Sequence, residues 1–260
     1  MLMNKNHLTS QPNALITLSI VSHNDSSEIE RLLSSLFLYE PEDKFQVILT
    51  DNLGNELPSY PWKNCTTLRN DQPKGFARNH NEAFRYATGS YFCILNPDVI
   101  FVQSIFESLI DRVESEQADI ITPVVVDSQN SFQDTFRDIP TPFELIRRRL
   151  LRRSHSIPLP ENVRFINPEW ISGTFMFMKS EVYQKLGGFD ERYHLYMEDV
   201  DICSRARLQG FSILVDAGMK LQHYGRRSSK QSFKYLLWHL HSAWKFFNSP
   251  VYKNVRKLKS

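Results

Sequence analysis

Gly75-Phe-Ala-Arg-Asn-His-Asn-Glu-Ala-Phe-Arg-Tyr-Ala-Thr-Gly-Ser-Tyr-Phe-Cys-Ile-Leu-Asn-Pro-Asp98 is the stretch from which the fold is read. Residues 76–87 predict a helix closed by Gly89, because glycine ends a helix at little steric cost. Tyr91-Phe-Cys-Ile-Leu95 is a short apolar run between turn residues, as expected of a buried strand. Pro97 fixes the backbone directly after that strand and projects Asp98 outward.

The same alternation continues on both sides. Upstream, residues 15–21 and 45–50 predict buried strands, with a short third strand at 66–68. Between the first two, Ser26 or Ser27 can cap a helix whose apolar positions Ile29, Leu32, Leu33 and Leu36 follow the helical period. Downstream, residues 104–116 predict a helix and 120–126 a strand. Such a succession predicts an α/β fold, Rossmann-like, with a mostly parallel sheet and helices on both faces. Ligands then sit outside the carboxyl ends of the strands, where Asp51 and Asp98 would share one cleft.

Residues 127–167 show weak periodicity, several prolines and the cluster Arg147-Arg-Arg-Leu-Leu-Arg-Arg153, and read as an excursion from the core. Beyond it a strand is expected at 170–178 through Gly173, a helix at 181–186 ending at Gly187-Gly188, and a helix from Glu198 to Gln209 stopped by Gly210. A strand at 211–215 follows, with His223 expected in a polar loop. A final amphipathic helix at 229–247 would place Phe233, Leu236, Leu237, Leu240, Trp244 and Phe247 on one stripe.

Composition narrows the possibilities. With 260 residues, 41% hydrophobic and 23% charged, the chain is ordinary for a globular protein. Cys65, Cys93 and Cys203 are far apart and form no CxxC pair, which argues against a disulfide framework or a zinc site. Residues 1–12 are polar, unlike a secretory signal, and no apolar run nears the ~18 residues needed to span a bilayer. A soluble or peripheral protein in the cytoplasm is the expectation. Residues 217–260 contain ten Lys or Arg and no Asp or Glu; taking those ten from the net charge of +2 leaves −8 for residues 1–216. A C-terminal face that meets phosphates or an anionic membrane is therefore expected. Charge runs are commonly solvated faces, and core packing competes with membrane contact for the apolar stripe. Aromatic side chains on an amphipathic stripe favour an interface over nucleic acid.

Two acidic motifs carry the chemistry. Asp51 at a strand end is a turn residue or an acceptor for the N3–H of uracil or thymine. Gly75-Phe76 and Arg78, with Asn81 further along, place amides and a cation at a helix N-terminus suited to phosphate. Asp98 could meet a hard cation such as Mg2+ or Mn2+ together with His223 and phosphate oxygens. Glu198-Asp199-Val200-Asp201 sets three acids at a helix start. Helix capping accounts for part of that, while clustered carboxylates raise one another's pKa, as suits a general base.

In order along the chain, Ser19-Ile-Val-Ser-His-Asn24, Leu49-Thr-Asp-Asn52, Gly75-Phe-Ala77, Asn81 and Leu95-Asn-Pro-Asp98 are followed by Trp170-Ile-Ser-Gly-Thr174, Gly187-Gly-Phe-Asp-Glu191, Tyr196-Met-Glu-Asp-Val-Asp-Ile-Cys203, Arg205 and His223. This ordered set, over about nine tenths of the chain, resembles the inverting glycosyltransferase family 2 of GT-A fold, and within it bacterial rhamnosyltransferases of O-antigen and cell-wall assembly. The resemblance implies that Ser22, Asn24, Asp51, Asn52, Gly75, Phe76, Arg78, Asn81, Asn96 and Asp98 bind a nucleotide sugar. Asp98 and His223 would hold a divalent metal, Mg2+ or Mn2+. Asp199 would be the base, supported by Glu198 and Asp201, and Trp170, Ser172, Gly173 and Thr174 would line the acceptor site. The first acid of the family's DxD motif is Asn96 here, so one carboxylate of the usual metal pair is missing.

The implied organisation is a tail at 1–12, a glycosyltransferase domain at 13–228 and a basic amphipathic helix and tail at 229–260. Within the domain, 13–126 would bind the donor and 127–228 the acceptor. The implied reaction transfers L-rhamnose from dTDP-L-rhamnose to a polyprenyl-pyrophosphate-linked saccharide at the inner membrane face, with no nucleic-acid partner. A UDP-hexose donor is the alternative, and a non-catalytic membrane-bound subunit is a further one.

Overall fold

The protein is described by a computed structural model covering residues 15–53, 62, 64–115, 117–151, 163–223 and 233–258. The first half alternates strand and helix as expected: β1 (Ile16–Ser22), α1 (Ser26–Tyr39), β2 (Phe45–Asp51), β3 (Cys65–Arg69), α2 (Phe76–Phe84), β4 (Tyr91–Leu95), β5 (Val99–Phe101), α3 (Phe106–Glu114) and β6 (Ile120–Val126). The second half adds β7 (Phe136–Arg137), α4 (Pro142–Leu151), β8 (Phe165–Ile166), β9 (Trp170–Ile171), β10 (Phe175–Lys179), α5 (Ser180–Lys185), α6 (Glu198–Leu208), β11 (Ile213–His223), α7 (Phe233–Asn248) and α8 (Pro250–Lys257).

The main sheet runs β3-β2-β1-β4-β10-β6-β11-β5, with β8 on β11. β3, β2, β1 and β4 are mutually parallel, as are β6 and β11. β10 is inserted antiparallel between β4 and β6. Both faces are covered, and the pleat assigns alternate residues to them. Tyr91, Cys93, Leu95, Phe175 and Phe177 pack with Leu32, Leu36 and Leu109 on one side. Phe92, Ile94, Met176 and Met178 pack with Ala77, Tyr183 and Cys203 on the other.

Several boundaries depart from the sequence reading, each for a physical reason. Ser26 is the first residue of α1 rather than its cap; Asp25 holds that position, and its carbonyl accepts from the amides of Glu28 and Ile29. α2 ends at Phe84 because residues 85–87 tighten into successive i→i−3 bonds. α3 starts later than expected, because the buried Glu40 carboxylate caps it from a distance, accepting from Ser104 Oγ (2.7 Å) and the amides of Ile105 and Phe106. The expected strand at 170–178 is two strands: β9 pairs with β7 in a small second sheet, then a turn at 172–174 leads into β10. The excursion at 127–167 contains β7, α4 and β8, while Arg152 and Arg153 fall outside the described residues. Residues 229–232 of the expected last helix also lie outside them, and a break at Ser249-Pro250 separates α8.

His80 is buried between α2 and β1. Its Nδ1 lies 2.8 Å from Ser19 Oγ, and its ring packs on Phe76 at 4.3 Å. Burial, aided by the nearby His23, pushes its pKa from 6.5 down to about 3. The folded state therefore holds His80 neutral, whereas the unfolded chain binds a proton below pH 6.5. Stability is expected to fall as pH drops from 6.5 towards about 3, with this residue contributing a slope of up to ~1.4 kcal/mol per pH unit. Urea denaturation as a function of pH checks this, and His80→Asn should flatten that limb.

Candidate active site

The carboxyl ends of β1, β2 and β4 deliver Ser22, Asp51 and Asn96-Pro97-Asp98 to one edge of the sheet, Ser22 directly opposite Asp51 in the register. Asp51 is 1% exposed. Its Oδ1 accepts from the Leu53 amide (3.2 Å), and its buried Oδ2 has no hydrogen-bond partner among the described residues. A buried carboxylate oxygen without a donor is costly, so it marks a place for a ligand N–H. Asn52 sits beneath it in an amide network. Its Oδ1 accepts from Asn70 Nδ2 and the Lys74 amide, both at 2.8 Å, and its Nδ2 reaches the Lys74 carbonyl and the His23 ring. Ser22 Oγ accepts from the Asp25 amide, and Asn24 adopts a left-handed φ of 73°, which shapes the loop after β1.

Four expected donor contacts have other employment. The Phe76 amide at the start of α2 donates to the His194 carbonyl (3.0 Å), and a Cβ on Gly75 would lie 2.5 Å from that same oxygen. Gly75 is thus required by the packing of α2 on residue 194, and the leading amide is not available to a phosphate. Arg78 is more than half exposed and pairs with Glu82 one turn on. Asn81 accepts from Tyr183 Oη (2.7 Å) and the Phe189 amide (2.9 Å), and donates to the Phe189 carbonyl (2.8 Å) and to Glu191 (3.0 Å). It braces the turn through Gly187-Gly188 rather than reaching for a donor sugar.

Asp98 and His223 are far apart in the chain and are brought together by strand pairing. β5 follows Asp98 immediately and pairs antiparallel with β11, with His223 opposite Val99. His223 is therefore the end of a long strand flanked by β6 and β5 and not part of a polar loop; the sequence offered no sign of this because β11 carries an irregularity between Asp216 and Lys220. His223 Nε2 lies 3.0 Å from Asp98 Oδ1, while its Nδ1 is bonded to Gln133 Oε1 at 2.6 Å. Gln133 also donates to the His223 carbonyl (2.7 Å) and so fixes the ring. Asp98 Oδ1 is buried and makes no well-aligned hydrogen bond. Two ligands at ~2.1 Å and right angles about one ion stand roughly 3 Å apart, so the pair fits two adjacent positions of an octahedral cation. No cluster of three or more His, Cys, Asp or Glu able to hold a metal occurs among the described residues.

The second acidic motif starts α6. Asp199 Oδ1 accepts from the Val200 amide (2.8 Å) and Oδ2 from the Gly173 amide (3.4 Å). Burial pushes the Asp199 pKa up to about 6, opposed by those two amides and by the charge of Arg137. Glu198 is 5% exposed, and burial together with the Asp199 charge raises its pKa far above the ordinary value. Of the two neighbouring carboxylates, Glu198 is the one whose ionisation burial opposes more strongly. Asp201 plays a different part. Its fully buried carboxylate accepts from Arg205 Nε at 2.6 Å, and Arg205 also donates to the carbonyls of Leu186 and Gly188. Burial still leaves the Asp201 pKa raised.

The turn at 172–174 joins the two motifs. The Asn96 amide donates to the Thr174 carbonyl (3.0 Å), and one residue earlier the Gly173 amide faces Asp199. Ser172 Oγ bonds Thr174 Oγ1 at 2.9 Å, and the Ser172 amide is held by the Thr135 carbonyl at 2.7 Å. Trp170 stands beside the turn with the Arg137 guanidinium 5.9 Å from its ring centre and a buried Nε1 that has no partner among the described residues. Sequence reasoning missed Gln133, Thr135 and Arg137. All three lie in the weakly periodic excursion, where no local pattern marks them. A Cβ on Gly173 would come within 2.8 Å of the Phe76 ring. Gly173→Ala is accordingly expected to displace the amide that faces Asp199 and to lower activity at least about tenfold with the fold retained, measured as turnover alongside circular dichroism. Asn81→Ala should instead cost about 1–3 kcal/mol of stability, read by denaturant melts.

A family model described as glycosyl transferase family 2 matches residues 17–187. The rhamnosyltransferase WbbL of Escherichia coli is 26% identical over 245 residues, covering 89% of this chain and 92% of that protein. The N-acetylglucosaminyl-diphospho-decaprenol L-rhamnosyltransferase of Mycobacterium tuberculosis is 24% identical over 262 residues, covering 87% of this chain and 81% of that one. Among solved structures, GalNAc-T7 with UDP, GalNAc and Mn2+ superposes with a TM-score of 0.64 at 15% identity, over 82% of this chain and 44% of that chain. The mannosyltransferase PcManGT from Pyrobaculum calidifontis with GDP-Man and Mn2+ gives 0.59 at 16% identity, over 93% and 67%. At such identities the structural likeness establishes the shared GT-A architecture.

Proposed function

Because the chain belongs to glycosyl transferase family 2 and is a glycosyltransferase, we propose that it moves L-rhamnose from dTDP-L-rhamnose, with inversion, onto a hydroxyl of a polyprenyl-pyrophosphate-linked saccharide at the inner face of the cytoplasmic membrane, in O-antigen or other surface polysaccharide synthesis. The observation that carries the catalytic part is the turn at 172–174, which lies one hydrogen bond from Asn96 on one side and one from Asp199 on the other. The rhamnosyl donor is supported by the names of the two curated relatives, and the lipid-linked acceptor by the name of the mycobacterial one.

In this reading the pyrimidine N3–H meets Asp51, whose buried Oδ2 otherwise lacks a donor. Asp199 takes the proton from the acceptor hydroxyl as that oxygen attacks the anomeric carbon. The bond to the nucleoside diphosphate breaks on the opposite side, which gives inversion. Glu198, whose ionisation burial and the Asp199 charge oppose, is the poorer base of the two. Trp170 and the turn at 172–174 hold the acceptor sugar. Asp98 and His223 would hold a divalent cation against the diphosphate, where its charge stabilises the departing group. No helix among the described residues is long and apolar enough to cross a membrane, so attachment at the membrane face would be peripheral.

Product formation with dTDP-rhamnose, UDP-glucose and UDP-galactose, using a GlcNAc-pyrophosphoryl lipid acceptor, tests the donor. Turnover with dTDP-rhamnose alone is expected; turnover only with a UDP-hexose would replace the rhamnosyl reading. Asp199→Asn is expected to lower kcat by about 10²–10⁴ with donor KM little changed. A base must be ionised to act, so kcat/KM should fall on the acid side through pH about 6, the raised pKa of Asp199. An acid limb near pH 4 would show an Asp199 carboxyl in the ordinary range, whereas full activity of Asp199→Asn would remove the residue from that role.

A further inference from the structure

The segment at 192–197, which leads into the acidic motif of α6, is held by α7. The Arg192 carbonyl accepts from Lys245 Nζ at 2.7 Å and the Leu195 carbonyl from the buried Ser242 Oγ at 2.9 Å. The His194 ring packs on Trp238 (4.5 Å) and the Tyr196 ring on His239 (5.1 Å). Ala243 and Phe246 continue this inner face into a cluster with Met197 and Val200. Tyr196 and Met197 both have left-handed backbones, with φ of 70° and 69°. Two consecutive non-glycine residues in that region are strained and persist only where neighbours hold them. Here the neighbours are on α7, and the strained pair leads directly into Glu198-Asp199.

The opposite face of α7 has a different character. Leu237, Leu240 and Trp244 are 50%, 51% and 66% exposed. They fall at i, i+3 and i+7, so they form one row along the helix. Half of the stripe that the sequence marks as apolar is thus on the outer face, while Phe247 packs beside the buried Ala243 and Phe246. Around it the charge is of one sign: α7 and α8 carry five Lys or Arg and no acid, with Lys234, Lys253 and Lys257 exposed. An apolar row on a helix pair whose own charges are all cationic complements an anionic bilayer, with side chains entering the acyl boundary and ammonium groups on the headgroups. A second copy of the chain would bring the same cations against themselves.

We infer that the outer face of α7 docks on an anionic membrane surface, and that its inner face transmits docking to the segment at 192–197 that aims Asp199. Docking stands independently of the proposed reaction; the consequence for transfer rests on Asp199 being the base.

The test uses the full chain with vesicles of phosphatidylcholine, with or without phosphatidylglycerol. Flotation should show binding to the anionic vesicles only, weakening as salt is raised. The double variant Leu240→Ser/Trp244→Ser, altered at exposed positions, should bind at least about tenfold more weakly. Equal binding to neutral vesicles, or undiminished binding by the double variant, overturns the docking surface. So does light scattering that finds a dimer which the double variant dissolves. For transmission, amide exchange across 192–201 should slow on vesicle binding in the natural chain. That slowing should be lost in Ser242→Ala and in Lys245→Ala while flotation is kept. Lys245→Ala removes only a surface contact, so it answers even where Ser242→Ala fails to fold. Unchanged exchange in the natural chain, or slowing retained in Lys245→Ala, overturns the transmission. Neither readout depends on the donor, so failure here is separable from failure of the rhamnosyl reading.

Discussion

Strand β10 runs antiparallel between β4 and β6, with Phe175 opposite Leu95, and this register governs the geometry of the site. It places the turn that precedes β10 beside the residues that follow β4, so that the Thr174 carbonyl meets the Asn96 amide. The Gly173 amide, next in line, meets Asp199. Slipping a strand by one residue turns every side chain to the other face. Here such a slip would exchange Phe175 and Phe177 with Met176 and Met178, which pack in different layers. Core packing on both faces of the sheet therefore secures the distance between the two acidic motifs.

Around that fixed point, the carboxylates are separated by environment more than by type. Asp201 is matched to Arg205 and stabilises the turn at 186–188. Glu198 is buried without a partner for Oε2 among the described residues, and burial beside Asp199 raises its proton affinity. Asp199 is held by two backbone amides that favour its charged form, while burial resists it. The opposition sets a proton affinity near the pH at which a general base works well. Asp98 differs again: its partner is an imidazole whose other nitrogen is committed to Gln133, an arrangement suited to sharing a cation.

Much of the N-terminal half was legible in the residues, because its signals are local. Buried parallel strands are short apolar runs, helices repeat every three to four residues, and Asp51 and Asp98 stand where those runs stop. The ordered motifs then pointed to the family. The packing roles of Gly75 and Asn81 escape the sequence for an instructive reason. Both residues are tied to the segment that leads into α6, Gly75 through His194 and Asn81 through Phe189 and Glu191. These contacts bridge more than a hundred residues, and no window of sequence displays them.

What the sequence determined by itself was the alternation of strands and helices, the acids at strand ends and the one-sided charge of the C-terminal part. Each follows from residue chemistry and short-range periodicity. Only the tertiary structure decided that His223 ends a strand paired with β5, that Gln133 and Arg137 stand beside the candidate site, and how burial and partners distinguish three neighbouring carboxylates. It also turned Leu237, Leu240 and Trp244 of α7 outward while the helix's other face holds the left-handed residues before Asp199. Such outcomes depend on burial and on partners distant in the chain. Proton affinity and exposure are properties of surroundings, and those exist only once the chain has folded.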